Sequence, residues 1–135
     1  MDDPSLERVR TAISASPYLS WLGLAASRVA PGSIEARATW RQDWIANPEL
    51  GQTQGGILAA LIDFAASFAL FVDLGGPAVT VDLRVDYHRL AKKGDLIARG
   101  AVVKRGRRIS VCEAQVFDLA GKLLASGRGT FLSET

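Results

Sequence analysis

Histidine occurs once in this 135-residue chain, at His88, and cysteine once, at Cys112. A lone cysteine cannot close a disulfide within the chain, and one imidazole with one thiol makes no zinc-type ligand set, so no metal is expected and no cofactor is implied. Charge of one sign is also lacking: 16 Lys and Arg against 14 Asp and Glu give +2. Without a basic tract no nucleic-acid partner is expected, although a small phosphorylated ligand stays open. The first residues, Met-Asp-Asp-Pro-Ser-Leu-Glu-Arg, are charged where a secretory leader is apolar, which together with the single thiol points to the reducing cytoplasm. The longest apolar run, residues 57–72, carries a carboxylate at Asp63 and falls short of the roughly 18–20 residues that cross a bilayer, so a buried helix is expected and no membrane partner. Repeats and low-complexity segments are missing too, and the length and 48% hydrophobic content predict one domain over residues 1–135.

What is present is an order of periodicities. Residues 3–15 place Leu6, Val9 and Ile13 on one stripe behind Asp2 or Asp3 as cap, which predicts a helix stopped by Pro17. Residues 16–23 read as a packed turn, and 24–29 and 34–40 as strands joined at Pro31-Gly32. An irregular, Gly-containing lead-in from Asn47 to Gly56 feeds the helix 57–72, whose stop signal is Gly75, Gly76 and Pro77. Residues 79–89 alternate, with Val79, Val81, Leu83, Val85 and Tyr87 on one face and Thr80, Asp82, Arg84, Asp86 and His88 on the other. Strands at 95–104, 108–118 and 122–132 complete a four-strand meander. Two strands, one apolar helix and four strands imply an α+β fold, an antiparallel sheet of about five to six strands curved around the helix. One sheet covers one side of a helix that is apolar all round, so the other side is expected at a subunit interface.

Asp63 is the first candidate for chemistry. A carboxylate with few polar neighbours loses hydration and becomes a stronger base toward water or a less solvated nucleophile. The alternative is a structural Asp bonded to Ser67, one turn on along the same face. Gly55 and Gly56 begin the helix, where backbone N–H groups lack intrahelical acceptors and are available to a developing oxyanion; the alternative is a glycine pair that merely allows a tight turn. Eight residues separate Gly55 from Asp63, about 12 Å at 1.5 Å per residue, too far for both to meet one carbonyl carbon. If both act on one substrate, Asp63 must serve the helix N-terminus of a second chain in a two-fold dimer with antiparallel helices.

The element order, the lead-in Asn47…Gly51-Gln-Thr-Gln-Gly55-Gly56, Asp63 after Gly-Gly, the strand from Val79 to Tyr87 and the ending Asp118-Leu-Ala-Gly-Lys-Leu-Leu-Ala-Ser-Gly-Arg-Gly-Thr130 resemble the hotdog-fold acyl-CoA thioesterases of the phenylacetate-degradation type, over residues 16–132. The resemblance implies a hotdog fold, a homodimer or dimer of dimers, and Asp63 as catalytic carboxylate with the Gly55 and Gly56 end polarising the thioester. It implies Asn47 as the residue orienting water, although the Asn47 to Gly51 spacing is one residue longer than the family's and the turn of an Asn-Pro pair is the alternative. Thr80 stands where some relatives carry a hydroxyl that holds the water or the Asp, yet alternation puts it on the polar face. Gln54 replaces the family's usual His; it can donate a hydrogen bond but cannot exchange a proton near neutrality. Lys93, Arg105 and Arg107, with Lys92 and Arg108, occupy loops that in the family lie near the coenzyme A phosphates, the plain alternative being solvated loop charges.

Ser67 is carried as a substrate contact. Trp40, Trp44 and Ile45 either line the acyl pocket or cap the core. His88 reads as surface and Cys112 as packing. The sequence therefore predicts hydrolysis of an acyl-CoA thioester to free acid and coenzyme A, with Asp63 as base or nucleophile. A non-hydrolytic acyl-CoA or acyl-carrier binder is the alternative, motivated by Gln54; hydratase chemistry would need a catalytic histidine, and the chain offers none outside His88.

Overall fold

The computed structural model describes residues 4–133 and opens with α1 (Pro4–Ala15), whose Val9 and Ile13 are buried; the expected caps Asp2 and Asp3 lie outside the described residues. Residues 16–23 are a short helix, α2 (Pro17–Trp21), where a turn was expected. The Ser16 hydroxyl accepts the Leu19 N–H at 3.2 Å and Pro17 stands at the first helical position, so this Ser-Pro pair starts a helix.

The strands β1 (Leu24–Ala30) and β2 (Ser33–Ala38) form the expected hairpin. The lead-in is more ordered than expected: a 3₁₀ turn (Gln42–Trp44) precedes a small hairpin, β3 (Ile45–Asn47) with β4 (Gln52–Thr53). Next comes α3 (Gly55–Leu74), ended by Gly75 in the left-handed region at φ 72°, with its N–H bonded to the Phe71 carbonyl. The chain closes with β5 (Val79–Tyr87), β6 (Leu96–Lys104), β7 (Ile109–Asp118) and β8 (Leu123–Leu132).

At 20 residues α3 is long and apolar enough to cross a bilayer, so the expectation that length argues against a span is corrected. Its packing is what places it: Leu61, Ile62, Ala65, Ala66, Ala69 and Leu70 are fully buried in the core of an antiparallel sheet. The six strands run in the order β1-β2-β6-β7-β8-β5. The expected meander is therefore wrong at one place, because β5 pairs with β8 and not with β6. The eight residues 88–95 cross the end of the sheet at the helix N-terminus, where the Ala91 carbonyl takes the Thr53 N–H at 2.7 Å.

One row of paired residues explains how closely the helix sits. Gly100, Ala114, Gly127 and Val85 stand opposite one another across β6, β7, β8 and β5. A Cβ on Gly100 would lie 1.9 Å from the Ala65 carbonyl oxygen, and one on Gly127 would lie 2.5 Å from Ile62 Cγ2. Small residues there form the trough that receives the helix. The opposite face of the sheet is polar, with ion pairs Arg28–Glu35 at 2.8 Å and Arg128–Glu113 at 3.3 Å.

The sheet leaves part of α3 uncovered. Ala59, Ala60, Phe68, Phe71 and Val72 are only half-buried. Edge strand β5 exposes Val79 by 47%, Val81 by 56% and Tyr87 by 53%, so the alternating apolar face expected there is not sealed within the chain.

Candidate active site

Two stations lie along α3. The first is its N-terminus. The Gln54 N–H bonds the Trp44 carbonyl at 2.7 Å, which anchors the lead-in and aims the helix start outward. Among the described residues the Gly55 and Gly56 N–H groups meet no backbone acceptor, whereas the Ile57 N–H is taken by the Gln54 carbonyl at 3.0 Å. Gln54 is the N-cap residue, yet its side chain makes no capping bond and is exposed. A hollow of about 550 Å³ opens here, lined by Gln54, Gly55, Gly56, Tyr87, His88 and Leu90 among others.

Tyr87 is the residue that sequence reasoning missed. Its hydroxyl donates to the Gly55 carbonyl at 2.9 Å, and its ring lies 3.4 Å from where a Gly55 Cβ would stand. The available signal was geometric: β5 follows the helix and runs back along it, so its last residue returns to the helix start. His88, next in the chain, is exposed, with Nε2 2.7 Å from the Ser126 hydroxyl.

The second station is Asp63. Thr80 Oγ1 donates to Asp63 Oδ1 at 2.7 Å. Strict alternation puts Thr80 on the other face, and a β-bulge corrects that reading. Thr80 pairs with Phe131 and Asp82 with Thr130, so Val81 is an extra, unpaired residue. Thr80 consequently shares the helix-facing side with Leu83, whose partner is Gly129. The Thr130 N–H is accepted by Asp82 Oδ1 at 3.0 Å. One edge strand thus touches both stations, Thr80 at Asp63 and Tyr87 at Gly55.

Asp63 is half-buried, and Thr80 is its hydrogen-bond partner. The alternative partner, Ser67, donates instead to the Phe64 carbonyl at 3.1 Å. Ser67 lines a small hollow of about 120 Å³ with Phe68, Phe71, Pro77, Ala78 and Ala12. Asn47 ends β3, where its side-chain oxygen accepts the Glu49 N–H at 3.0 Å and its carbonyl takes the Gly51 N–H at 2.9 Å. Trp44 is fully buried in the core.

The basic loop residues divide between the two ends of α3. Lys93 is in the crossing segment at the N-terminal end, its Nζ 5.4 Å from the Trp40 ring centroid. Arg105 and Arg107 are in the β6–β7 turn at the other end, where Arg105 approaches Asp73 at 4.0 Å. A 20-residue helix spans about 30 Å, so within one chain these cations do not meet one ligand. Cys112 is buried, and desolvation, followed by the nearby Asp73 charge, pushes its thiol up to about 11. A hollow of about 610 Å³ on the outer face, lined by Arg84, Arg99, Glu113 and Arg128, lies on the side of the sheet away from both stations.

Comparison with known proteins fits this arrangement. Residues 51–125, from the lead-in to the start of β8, match the family described as Thioesterase superfamily. The chain belongs to the thioesterase superfamily. A Halobacterium salinarum protein, provisionally named an esterase, is 31% identical over 96% of this chain and 92% of its own length. Human acyl-coenzyme A thioesterase 13 is 34% identical over 84 residues, which span 60% of each chain. Among solved structures, a thioesterase-superfamily protein superposes with a TM-score of 0.94 at 39% identity, over 96% of this chain and 98% of that one. The phenylacetic acid degradation protein PaaI from Thermus thermophilus, in a mutant form, gives 0.76 at 33% identity, over 87% and 98%. The fold is accordingly the α+β hotdog of thioesterase-superfamily proteins.

Proposed function

We propose that this thioesterase-superfamily protein hydrolyses acyl-CoA thioesters in sites completed across a homodimer. The observation that carries the reading is the separation of the two stations. Unpaired amides at Gly55 and Gly56 and the Thr80-bonded Asp63 lie about 12 Å apart on one rigid helix, beside strand β5, whose outer edge pairs with no strand among the described residues. A long exposed edge is a template for pairing with another chain. Joining β5 to a second β5 about a two-fold axis lays the two α3 helices antiparallel and covers the half-exposed face of α3.

In each centre of such a dimer the thioester oxygen faces the Gly55 and Gly56 amides of one chain, with the Gln54 carboxamide as a further donor. Water bonds to the carbonyl carbon as the partner's Asp63 takes its proton. The oxyanion is held by the amides and then collapses, the C–S bond breaks, and the leaving thiolate takes up the proton that Asp63 had accepted, which restores the carboxylate. Thr80 fixes the Asp63 oxygen that it binds. Direct attack by the Asp63 carboxylate would use the same placement. Antiparallel helices also bring the partner's Arg105 and Arg107 toward the end that holds Lys93, which would set cations from both chains around the coenzyme A phosphates.

The experiment is hydrolysis of a panel of acyl-CoA thioesters with detection of free thiol. Wild type should turn over at least one of them, and Asp63→Ala should fall to background. Equal background release by both proteins rejects the hydrolytic reading. Gln54, which cannot exchange a proton, favours one rival, a non-hydrolytic acyl-CoA binder. That rival predicts thermal stabilisation by the ligand without thiol release.

A further inference from the structure

The Tyr87 hydroxyl is spent on an amide whose other end faces the proposed reaction centre. The Gly55 carbonyl and the Gly56 N–H are the two ends of one peptide group, planar and conjugated. Tyr87 donates to the carbonyl end at 2.9 Å. The N–H end has no backbone acceptor among the described residues and opens on the hollow that Gly56 and Tyr87 both line. A carbonyl has two lone pairs, so Gly55 accepts this bond beside its helical one.

We infer that Tyr87 is a positioning residue that orients and polarises the Gly55–Gly56 peptide group, making the Gly56 N–H a stronger donor to the oxyanion. This rests on the hydrolytic reading above. The physical basis is cooperativity: a bond accepted at C=O draws electron density from the amide and strengthens what its N–H donates. The Tyr87 ring flanks the same residue, within 3.4–3.5 Å of the Gly55 Cβ position, so the hydroxyl is delivered to that peptide group from a side chain packed beside it. A purely structural tie between β5 and α3 would need no particular peptide group, whereas this one selects the group whose donor faces the hollow.

The size of the effect follows from two general magnitudes. Losing an oxyanion donor costs about 10²–10³ in kcat, and cooperativity strengthens a bond by about 10–30%; the corresponding share of that factor is roughly two- to eightfold.

The test compares wild type with Tyr87→Phe, which keeps the ring against Gly55 and removes only the hydroxyl. Kinetics on the best thioester are read together with the Gly56 amide proton shift in an NMR spectrum of the labelled protein. The expected result is a two- to eightfold fall in kcat, KM within twofold, and an upfield move of the Gly56 amide proton as its polarisation relaxes. Unchanged kcat, an unchanged Gly56 shift, or a loss confined to KM overturns the inference. Tyr87→Leu, which also removes the ring, should lower kcat further; a fall in thermal midpoint with unchanged kcat in both variants would mark Tyr87 as structural only. If wild type hydrolyses no thioester, the hydrolytic reading fails by itself, while the Gly56 shift still decides whether Tyr87 acts on the amide.

Discussion

Replacing Thr80 by Val should slow the reaction about five- to tenfold without unfolding the protein. Valine has nearly the shape of threonine, so the change removes one donor and little else. The bond lost is an O–H to carboxylate contact of 2.7 Å. Bonds to charged groups contribute about 1.5–3 kcal/mol, but Asp63 is half-exposed and water recovers part of this, leaving roughly 1–1.4 kcal/mol, which converts to that factor. Thiol release under saturating acyl-CoA gives kcat, and thermal unfolding shows whether the fold is intact. Thr80→Ser restores the donor and should return kcat to within about twofold of wild type, on the same reasoning. Should Thr80→Val retain full kcat, the bonded carboxylate is not the group that acts; should Thr80→Ser be as slow as Val, packing by the methyl group matters and the hydroxyl does not.

Gly100→Ala would put a methyl 1.9 Å from the Ala65 carbonyl oxygen, and since that atom is backbone the whole helix must lift; a loss of about 3 kcal/mol and a thermal midpoint lower by roughly 10 °C are expected. Asp95 accepts the Trp40 N–H and an Arg37 bond, which hold its carboxyl below the usual range. Its contribution is present above the unfolded carboxylate value and lost as pH falls through the lower folded one, so wild type should exceed Asp95→Asn in urea stability at pH 7 and the gap should close on acidification below about pH 4. Cys112 stays protonated in the fold up to about 11 against an ordinary 9.0, so it should resist alkylation at pH 8 until denaturant is added, and the stability it contributes should decline between those two values as pH rises.

Most elements were legible in the sequence, because strands such as β2 and β7 bury alternate residues and α3 is a long apolar run ended at Gly75. The separation of Gly55 from Asp63 was legible too, since helix rise alone sets it. The face of Thr80 was not: one unpaired residue at Val81 inverts everything before it, and nothing in the alternation of residues 79–87 betrays an insertion. The pairing of β5 with β8 was hidden for a related reason, since hairpin spacing suggests neighbours and the residues 88–95 that cross the sheet end look like an ordinary loop. Asn47 illustrates the reverse case, in which a side chain suited to orienting water is engaged locally by the Glu49 N–H. Tyr87 escaped notice because its role depends on which peptide group its hydroxyl reaches, and that is settled only by packing.

The central claim is that each reaction centre takes its amides from one chain and its carboxylate from another. Two defective chains can test it together. Asp63→Ala lacks the carboxylate, and Gly55→Pro lacks an amide donor at a place that accepts proline: the first helical residue, preceded by Gln54 at φ −56° and ψ 132°. Co-expressed under different affinity tags and isolated as the mixed dimer, they leave one centre with both groups intact and one that lacks both the carboxylate and the Gly55 amide. The account predicts about half the wild-type kcat per dimer from two nearly inactive parents, on the same two-fold logic. A mixed dimer no more active than its parents would contradict it.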